Sequence, residues 1–348
     1  MIRRILLVVL AAAGMSIHPA FAAPGPYTVT DALGRSLSFQ RIPERIVIAG
    51  RAAPLLVDAV YIFPGVSQRV VGVGETDQGQ GDFLPLIDRG AGAKQRFSDS
   101  AAPEQLAAVR PDLVILKSSA KAQLGDALER FGIRVLYLDL ESPEKFSADV
   151  QTLGRLFQQP ERAHFIQDWY RSRVEAVVRA TATAEKPSVL LVRHCAQDGT
   201  NAFAVPPANW IQAVTTETAG GLAVWKGAGP GGAWKKIGPE QLSSWNPRYV
   251  FVVSCGKPSG PIAEDIQSSG TITGTITGFP SDFYSWDQAD TRWILGLEWM
   301  AVTLHPELLP DLDLRAEIHE FFTRLYGIDE STMASEIFPR LEGVFAPR

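Results

Sequence analysis

Pro103-Glu104-Gln105-Leu106, followed after four residues by Pro111-Asp112-Leu113-Val114-Ile115-Leu116, returns as Pro239-Glu240-Gln241-Leu242, again four residues, and Pro247-Arg248-Tyr249-Val250-Phe251-Val252. In each copy a Pro sits where a helix can begin without losing a hydrogen bond, and a second Pro stops that helix. An apolar run long enough for a buried parallel strand then follows. The copies start about 136 residues apart, too far for a solenoid and right for a duplicated domain. Two related lobes are expected, with a ligand between them.

Outward from the first copy, strand-like runs at 46–49, 70–73, 113–116 and 135–138 alternate with helical patterns at 54–63, 103–109 and 121–131. That alternation predicts a mainly parallel sheet. The second copy lies in a similar series: a strand at 189–194, a helix at 208–218, a short run at 222–225, the Pro239 helix and a strand at 249–253. Between the two series, 142–157 and 160–183 read as helices, the second roughly 35 Å long at 1.5 Å per residue. The expected fold is α/β, two Rossmann-like lobes joined by a single long helix, with a ligand cleft between them. A helical connector should allow only small relative motion of the lobes. Helices at 289–304 and 312–326 close the chain. The expected division is 1–22 signal peptide, 23–142 N-terminal lobe, 143–184 connecting helices and 185–348 C-terminal lobe with terminal helices.

The signal peptide rests on Arg3 and Arg4, the apolar run 5–13 and the small-x-small site Ala20-Phe21-Ala22. The run is too short to span a bilayer, and no later stretch offers the ~18 uninterrupted apolar residues that a span needs. The first cysteine is Cys195, far from any lipid-acceptor position, so a free periplasmic protein is expected. Cleavage after Ala22 removes two Arg and no acid, taking the net charge from −5 to about −7, the wrong sign for a general nucleic-acid binder. Cys195 and Cys255 each follow an expected strand; in an oxidising compartment they either pair or remain two buried thiols.

In parallel sheets ligands gather beyond the carboxyl ends of strands. That rule selects Arg51, Glu75, Lys117, Arg193 and His194 as candidate ligand contacts. Arg51 also precedes a helix start, where free N–H groups favour an anion. Arg and Lys converging on a cleft suit a carboxylate, catecholate or oxyanion, though a solvated surface charge is the commoner role of any one of them. All eight Trp lie at or beyond Trp169. Tyr284, Trp286 and Arg292, after a Gly/Pro-punctuated stretch, are expected to form an aromatic binding wall with Trp210; simple packing is the competing role. Trp293, Leu297 and Met300 have helical spacing and read as core.

The signal peptide, the paired Pro-Glu-Gln-Leu blocks, the opening Val29-Thr30-Asp31-Ala32-Leu33-Gly34-Arg35, the Pro43-Glu44-Arg45-Ile46-Val47 stretch and the helical connector together resemble the helix-linked (class III) periplasmic substrate-binding proteins of ABC importers. These carry ferric siderophores, cobalamin, haem and related metal chelates or oxyanions. The match covers nearly all of the mature chain; 271–285 departs from the usual pattern. The resemblance implies a protein that captures an iron(III)–siderophore or similar chelate and delivers it to a permease in the inner membrane. It further implies that Glu104 and Glu240, opening the two repeated helices, dock onto permease arginines. Two carboxylates on rigidly spaced lobes would make an oriented docking surface; a Glu in a first turn also simply complements the helix dipole.

Residues 23–142 contain no His, which argues against a bare zinc-type site. Gly227-Ala228-Gly229-Pro230-Gly231-Gly232 spells G-x-G-x-x-G without opening a helix and reads as a cleft-edge loop. There is no G-x-S-x-G, H-E-x-x-H or P-loop, so an enzyme is not expected, and neither a resident metal nor a cofactor is implied. A monomer is expected. Haem, cobalamin or a molybdate-like oxyanion remain alternative cargoes, with haem ligation open to His194 or a Tyr. A secreted hydrolytic or sensory α/β protein is the alternative class.

Overall fold

Residues 25–343, apart from 52, 76–78, 198–199, 255 and 271, are described by a computed structural model of the chain. The signal peptide and Cys255 lie outside the described residues, as does the Cys195 side chain, so the cysteine pairing does too.

The chain enters through an antiparallel pair, β1 (Tyr27–Thr30) and β2 (Ser36–Phe39). The first lobe then builds a parallel sheet from β3 (Ile46–Ile48), β4 (Val70–Gly74), β5 (Gln95–Phe97), β6 (Leu113–Lys117) and β7 (Val135–Leu138), in the order β5-β4-β3-β6-β7. Every residue of β3, β6 and β7 is buried, as expected where helices cover both faces of a sheet. α1 (Ala53–Tyr61) follows β3, and α2 (Pro103–Ala108) carries the chain from β5 to β6.

α3 (Pro143–Leu156) and α4 (Pro160–Thr181) connect the lobes. Ser142 caps α3 by accepting the Lys145 N–H. The tight turn between the helices requires Gly154, where a Cβ would stand 2.4 Å from that of Ala163. At about 1.5 Å per residue, the 22 residues of α4 reach about 33 Å. Arg173 of α4 lies over Trp169, 3.6 Å from the ring centre, and pairs with Glu317 and Glu320 at 2.6 and 2.7 Å. The connector is thereby fastened to the C-terminal helices.

The second lobe contains β8 (Ser188–Gln197), β9 (Thr200–Val205), α5 (Ile211–Thr218), β10 (Leu222–Ala223), β11 (Lys235–Ile237), α6 (Pro239–Trp245), β12 (Tyr249–Val253) and β13 (Thr275–Gly278). The order is β11-β9-β8-β12-β13, with β10 paired to β8. β8, β12 and β13 are parallel, and β9 returns antiparallel to β8. β8 therefore continues past the expected end at His194, because β9 pairs with it as far as Gln197. α7 (Trp293–Leu304) and α8 (Leu314–Tyr326) complete the lobe.

The repeated block occupies the same place in both sheets. In each, a short edge strand (β5 or β11) leads into the Pro-Glu-Gln-Leu helix, which crosses two strands to feed the fourth position (β6 or β12). The copies differ at the Gln. Gln105 Oε1 accepts the Ala102 N–H at 2.8 Å and closes its helix start, whereas Gln241 Nε2 donates to Ser244 Oγ at 3.1 Å.

Candidate functional site

The lobes meet first in a buried joint. Arg292 is fully buried; its Nε donates to Asp282 at 2.7 and 2.9 Å, and its Nη1 to Asp58 of α1 and to Asp290 at 3.3 Å. Phe83, Tyr284 and Phe322 surround the guanidinium, with centroids 4.6 to 5.7 Å away. Burial pushes the Asp58 carboxyl up to about 6 and that of Asp290 to about 8, against the pull of Arg292. Three carboxylates around one guanidinium cannot all stay ionised without water, so Asp290 holds a proton near neutrality.

Trp286 is 1% exposed and donates its indole N–H to Asp282 at 3.1 Å. Gln80 of the first lobe donates its backbone N–H to Phe283 O at 2.8 Å. Phe83 and Phe283 stand 5.4 Å apart. Gly79 is obligatory in this approach: its φ is +137°, and a Cβ would fall 2.9 Å from the Tyr284 ring. The expected aromatic wall is corrected here. Trp286 and Arg292 are cores of the joint, the Trp286 indole N–H and the Arg292 Nε and Nη1 turned onto carboxylates while Arg292 Nη2 is buried without a partner, and Tyr284 packs over Arg292 and borders a cavity.

Two cavities flank the joint. The larger, about 660 Å³, is lined by Asp58, Glu75, Asp82, Arg96 and Tyr284 among others. Arg96 is paired to Asp82 at 2.8 Å, so the wall is acidic on balance. It therefore suits an anion poorly.

The smaller cavity, about 380 Å³, opens between the lobes. Arg51, just beyond β3, contributes with Leu55 and Glu141 from the first-lobe side. From the second lobe come Arg193 of β8, Trp210 and Gln212 at the start of α5, Trp234 before β11, and Asp287. Trp210 and Trp234 stand edge to face, 6.4 Å apart at 84°. The Arg193 guanidinium lies over Trp234 at 4.7 Å, and its Nε is buried without a hydrogen-bond partner. Gln212, 5% exposed, donates from Nε2 to Asp287 Oδ2 at 3.1 Å, and its Oε1 also lacks a partner. Asp287 accepts from Ser285 Oγ at 2.5 Å, and burial raises its carboxyl above the usual range while Ser285, Gln212 and Arg193 oppose the shift.

Arg51, Arg193 and Trp210 are thus brought to one cavity. Lys117 is not among its lining residues: it is buried, pairing with Glu141 at 2.6 Å and donating to Asp139 O. It acts at one remove, neutralising a carboxylate that does line the cavity. Glu75 borders the larger cavity instead. His194 is half-buried with its ring 5.8 Å from Phe203. Trp234, Gln212 and Glu141 escaped the sequence reading, whereas Asp287 belongs to the segment 283–293 read as a binding wall. Trp234 had a usable signal, a lone aromatic after Gly231-Gly232 at the loop taken as cleft-edge. Gln212 and Glu141 had none, since their roles depend on partners distant in the chain. Among the described residues no group of three or more His, Cys, Asp or Glu is placed to hold a metal ion. No helix among them is long and apolar enough to cross a membrane.

Glu104 and Glu240 are both exposed in the first turns of α2 and α6.

A family model described as periplasmic binding protein matches residues 59–288. No curated protein matches by sequence. Among solved structures, a periplasmic solute binding protein from Veillonella parvula superposes with a TM-score of 0.67 at 17% identity, over 90% of this chain and 97% of the other. The molybdate periplasmic binding protein MolA of Haemophilus influenzae, bound to molybdate, gives 0.70 at 15%, over 86% and 98%. CeuE of Helicobacter pylori, as a Ni-His complex, gives 0.70 at 15%, over 90% and 99%. At these identities the likeness to solved structures is one of fold.

Proposed function

This chain belongs to the periplasmic binding protein family, and from that premise we propose that it captures an anionic metal chelate of the iron(III)–siderophore kind in the cavity between its lobes. It is a solute-binding protein, not an enzyme, and its task is to deliver the solute to the permease of an ABC importer. The observation that carries the reading is the pairing of Arg51 and Arg193, one from each lobe, with two indoles in a single interlobe cavity. Guanidinium forks hold anionic oxygens in a fixed plane, and indole faces cover flat ligand surface at small entropic cost. Glu104 and Glu240 are the permease contacts in this reading, exposed at matching places on the two lobes. The periplasm is its compartment, reached through the segment 1–22.

A thermal-shift screen tests the reading. Iron(III) chelates of catecholate, hydroxamate and citrate type, haem, cobalamin and molybdate are each added to the purified mature protein. A ligand at 100 times its dissociation constant adds roughly 2.7 kcal/mol of stability, so a true cargo raises the midpoint clearly. An anionic iron chelate should give the largest rise. A rise with haem or cobalamin alone, or with none of the set, contradicts the proposal.

A further inference from the structure

The larger cavity beside the joint, about 660 Å³, has a wall opposite in character to that of the proposed chelate site. Glu75, just beyond β4, is exposed, and among the described residues its carboxylate has neither an ion pair nor a hydrogen bond. The nearby cation of this wall, Arg96, is already taken by Asp82 at 2.8 Å. Asp58 gives only Oδ2 to Arg292. Its Oδ1 accepts no hydrogen bond from a described residue and is not one of the enclosed unpartnered atoms, so it keeps accessible surface at the cavity that Asp58 lines. Tyr284, from the second lobe, is only 5% exposed, yet its hydroxyl likewise has no partner among the described residues and is not enclosed. Its ring is fixed by the close approach of Gly79 and by the Arg292 guanidinium 5.1 Å away, and the hydroxyl opens on the same cavity. Three oxygens therefore reach one space with nothing donating to them.

We propose that this cavity is a second binding site, for an organic cation whose ammonium group is held by Asp58, Glu75 and Tyr284. An alkylammonium brings three N–H donors and a positive charge to three acceptors, two of them carboxylates, and such charge-assisted bonds are the strong ones. Pro54, Val57, Val73 and Leu84 offer apolar surface to the hydrocarbon part, so a few polar groups stand in a largely apolar lining, as in small-molecule sites generally. A bare metal ion fits less well, since among the described residues no three His, Cys, Asp or Glu are close enough to share one. In the joint, Asp58, Asp282 and Asp290 outnumber the single Arg292. A cation beside Asp58 offsets part of that buried negative excess. The inference stands apart from the chelate reading, because the two cavities share no lining residue.

Isothermal titration near neutral pH and at fixed ionic strength compares hexylammonium chloride with hexan-1-ol and sodium hexanoate, which keep the chain and remove or reverse the charge. The wild type should bind hexylammonium saturably, and the alcohol and the carboxylate at least about tenfold more weakly. Glu75→Gln, which alters a carboxylate without a protein partner, and Tyr284→Phe, which removes only the hydroxyl, should each weaken hexylammonium at least about fivefold. Equal binding of the ammonium and the alcohol, no binding of the ammonium, or an ammonium affinity unchanged in both variants overturns the proposal. The three ligands decide the point on the wild-type protein alone, should a variant fail to fold. A titration with the iron(III) complex of 3,4-dihydroxybenzoylglycine, with and without saturating hexylammonium, then separates the two cavities. Chelate affinity should agree within about twofold; mutual displacement overturns a second site. A chelate that does not bind at all removes the chelate reading and leaves the ammonium site standing on its own titrations.

Discussion

Arg292 shows how the same residue type takes opposite roles a few ångströms apart. Its Nε and Nη1 are taken by Asp58, Asp282 and Asp290, whereas Arg193 forms none of these ion pairs and is stacked on Trp234 at the cavity. The Arg292 cluster gives a pH signature. Asp290 keeps its proton in the folded protein up to about 8, while the unfolded chain releases it near the ordinary 3.8. The folded state is thus favoured fully below that ordinary value, and the advantage is lost as pH rises toward about 8. Asp58 and Asp149, both raised to about 6, act in the same direction. Urea unfolding at pH 5 and pH 8 should show wild-type stability falling with pH, and Asp290→Asn should fall distinctly less. An equal fall in the variant would mean that Asp290 is ionised in the folded protein. From sequence alone, Arg292 and Trp286 are indistinguishable from cleft residues, because a charge among aromatics is also what a buried interlobe joint requires. Deciding between them takes Asp58, which lies 234 residues away in the chain.

The elements that sequence made legible are those with continuous apolar runs. β3, β6, β7 and β12 fall where the runs place them, and the Pro-Glu-Gln-Leu blocks fall on helices in matching positions. β5, β11 and β13 escaped because Gln-Arg-Phe, Lys-Lys-Ile and Thr-Ile-Thr-Gly are short, partly exposed edge segments whose pairing comes from the sheet beside them. The repeated helices carry their own prediction. Reversing both charges, Glu104→Arg with Glu240→Arg, should abolish uptake in vesicles containing the permease and leave the dissociation constant for the chelate unchanged. Lost affinity in the double variant would assign these residues to the cargo; undiminished uptake would remove them from docking. Their exposure in first turns makes a folding defect an improbable confounder, since each contributes only about 0.3 to 1 kcal/mol through the helix dipole.

At the scale of the molecule, the symmetric and asymmetric parts do different work. The duplicated topology sets two carboxylates at equivalent places on two lobes that α4 and the Arg292 joint hold together. The cavity beside the joint departs from that symmetry. Each lobe supplies one arginine, while both tryptophans come from the second. Lobes joined by a helix and a buried ion cluster around a preformed cavity should bind with small rearrangement, and Arg193 is the group on which affinity is expected to depend most. Isothermal titration of wild type and Arg193→Ala with the iron(III) complex of 3,4-dihydroxybenzoylglycine tests this most directly. The account predicts saturable one-to-one binding by the wild type and at least about tenfold weaker binding by the variant. Equal affinity in the two proteins, or no binding by the wild type, would contradict it.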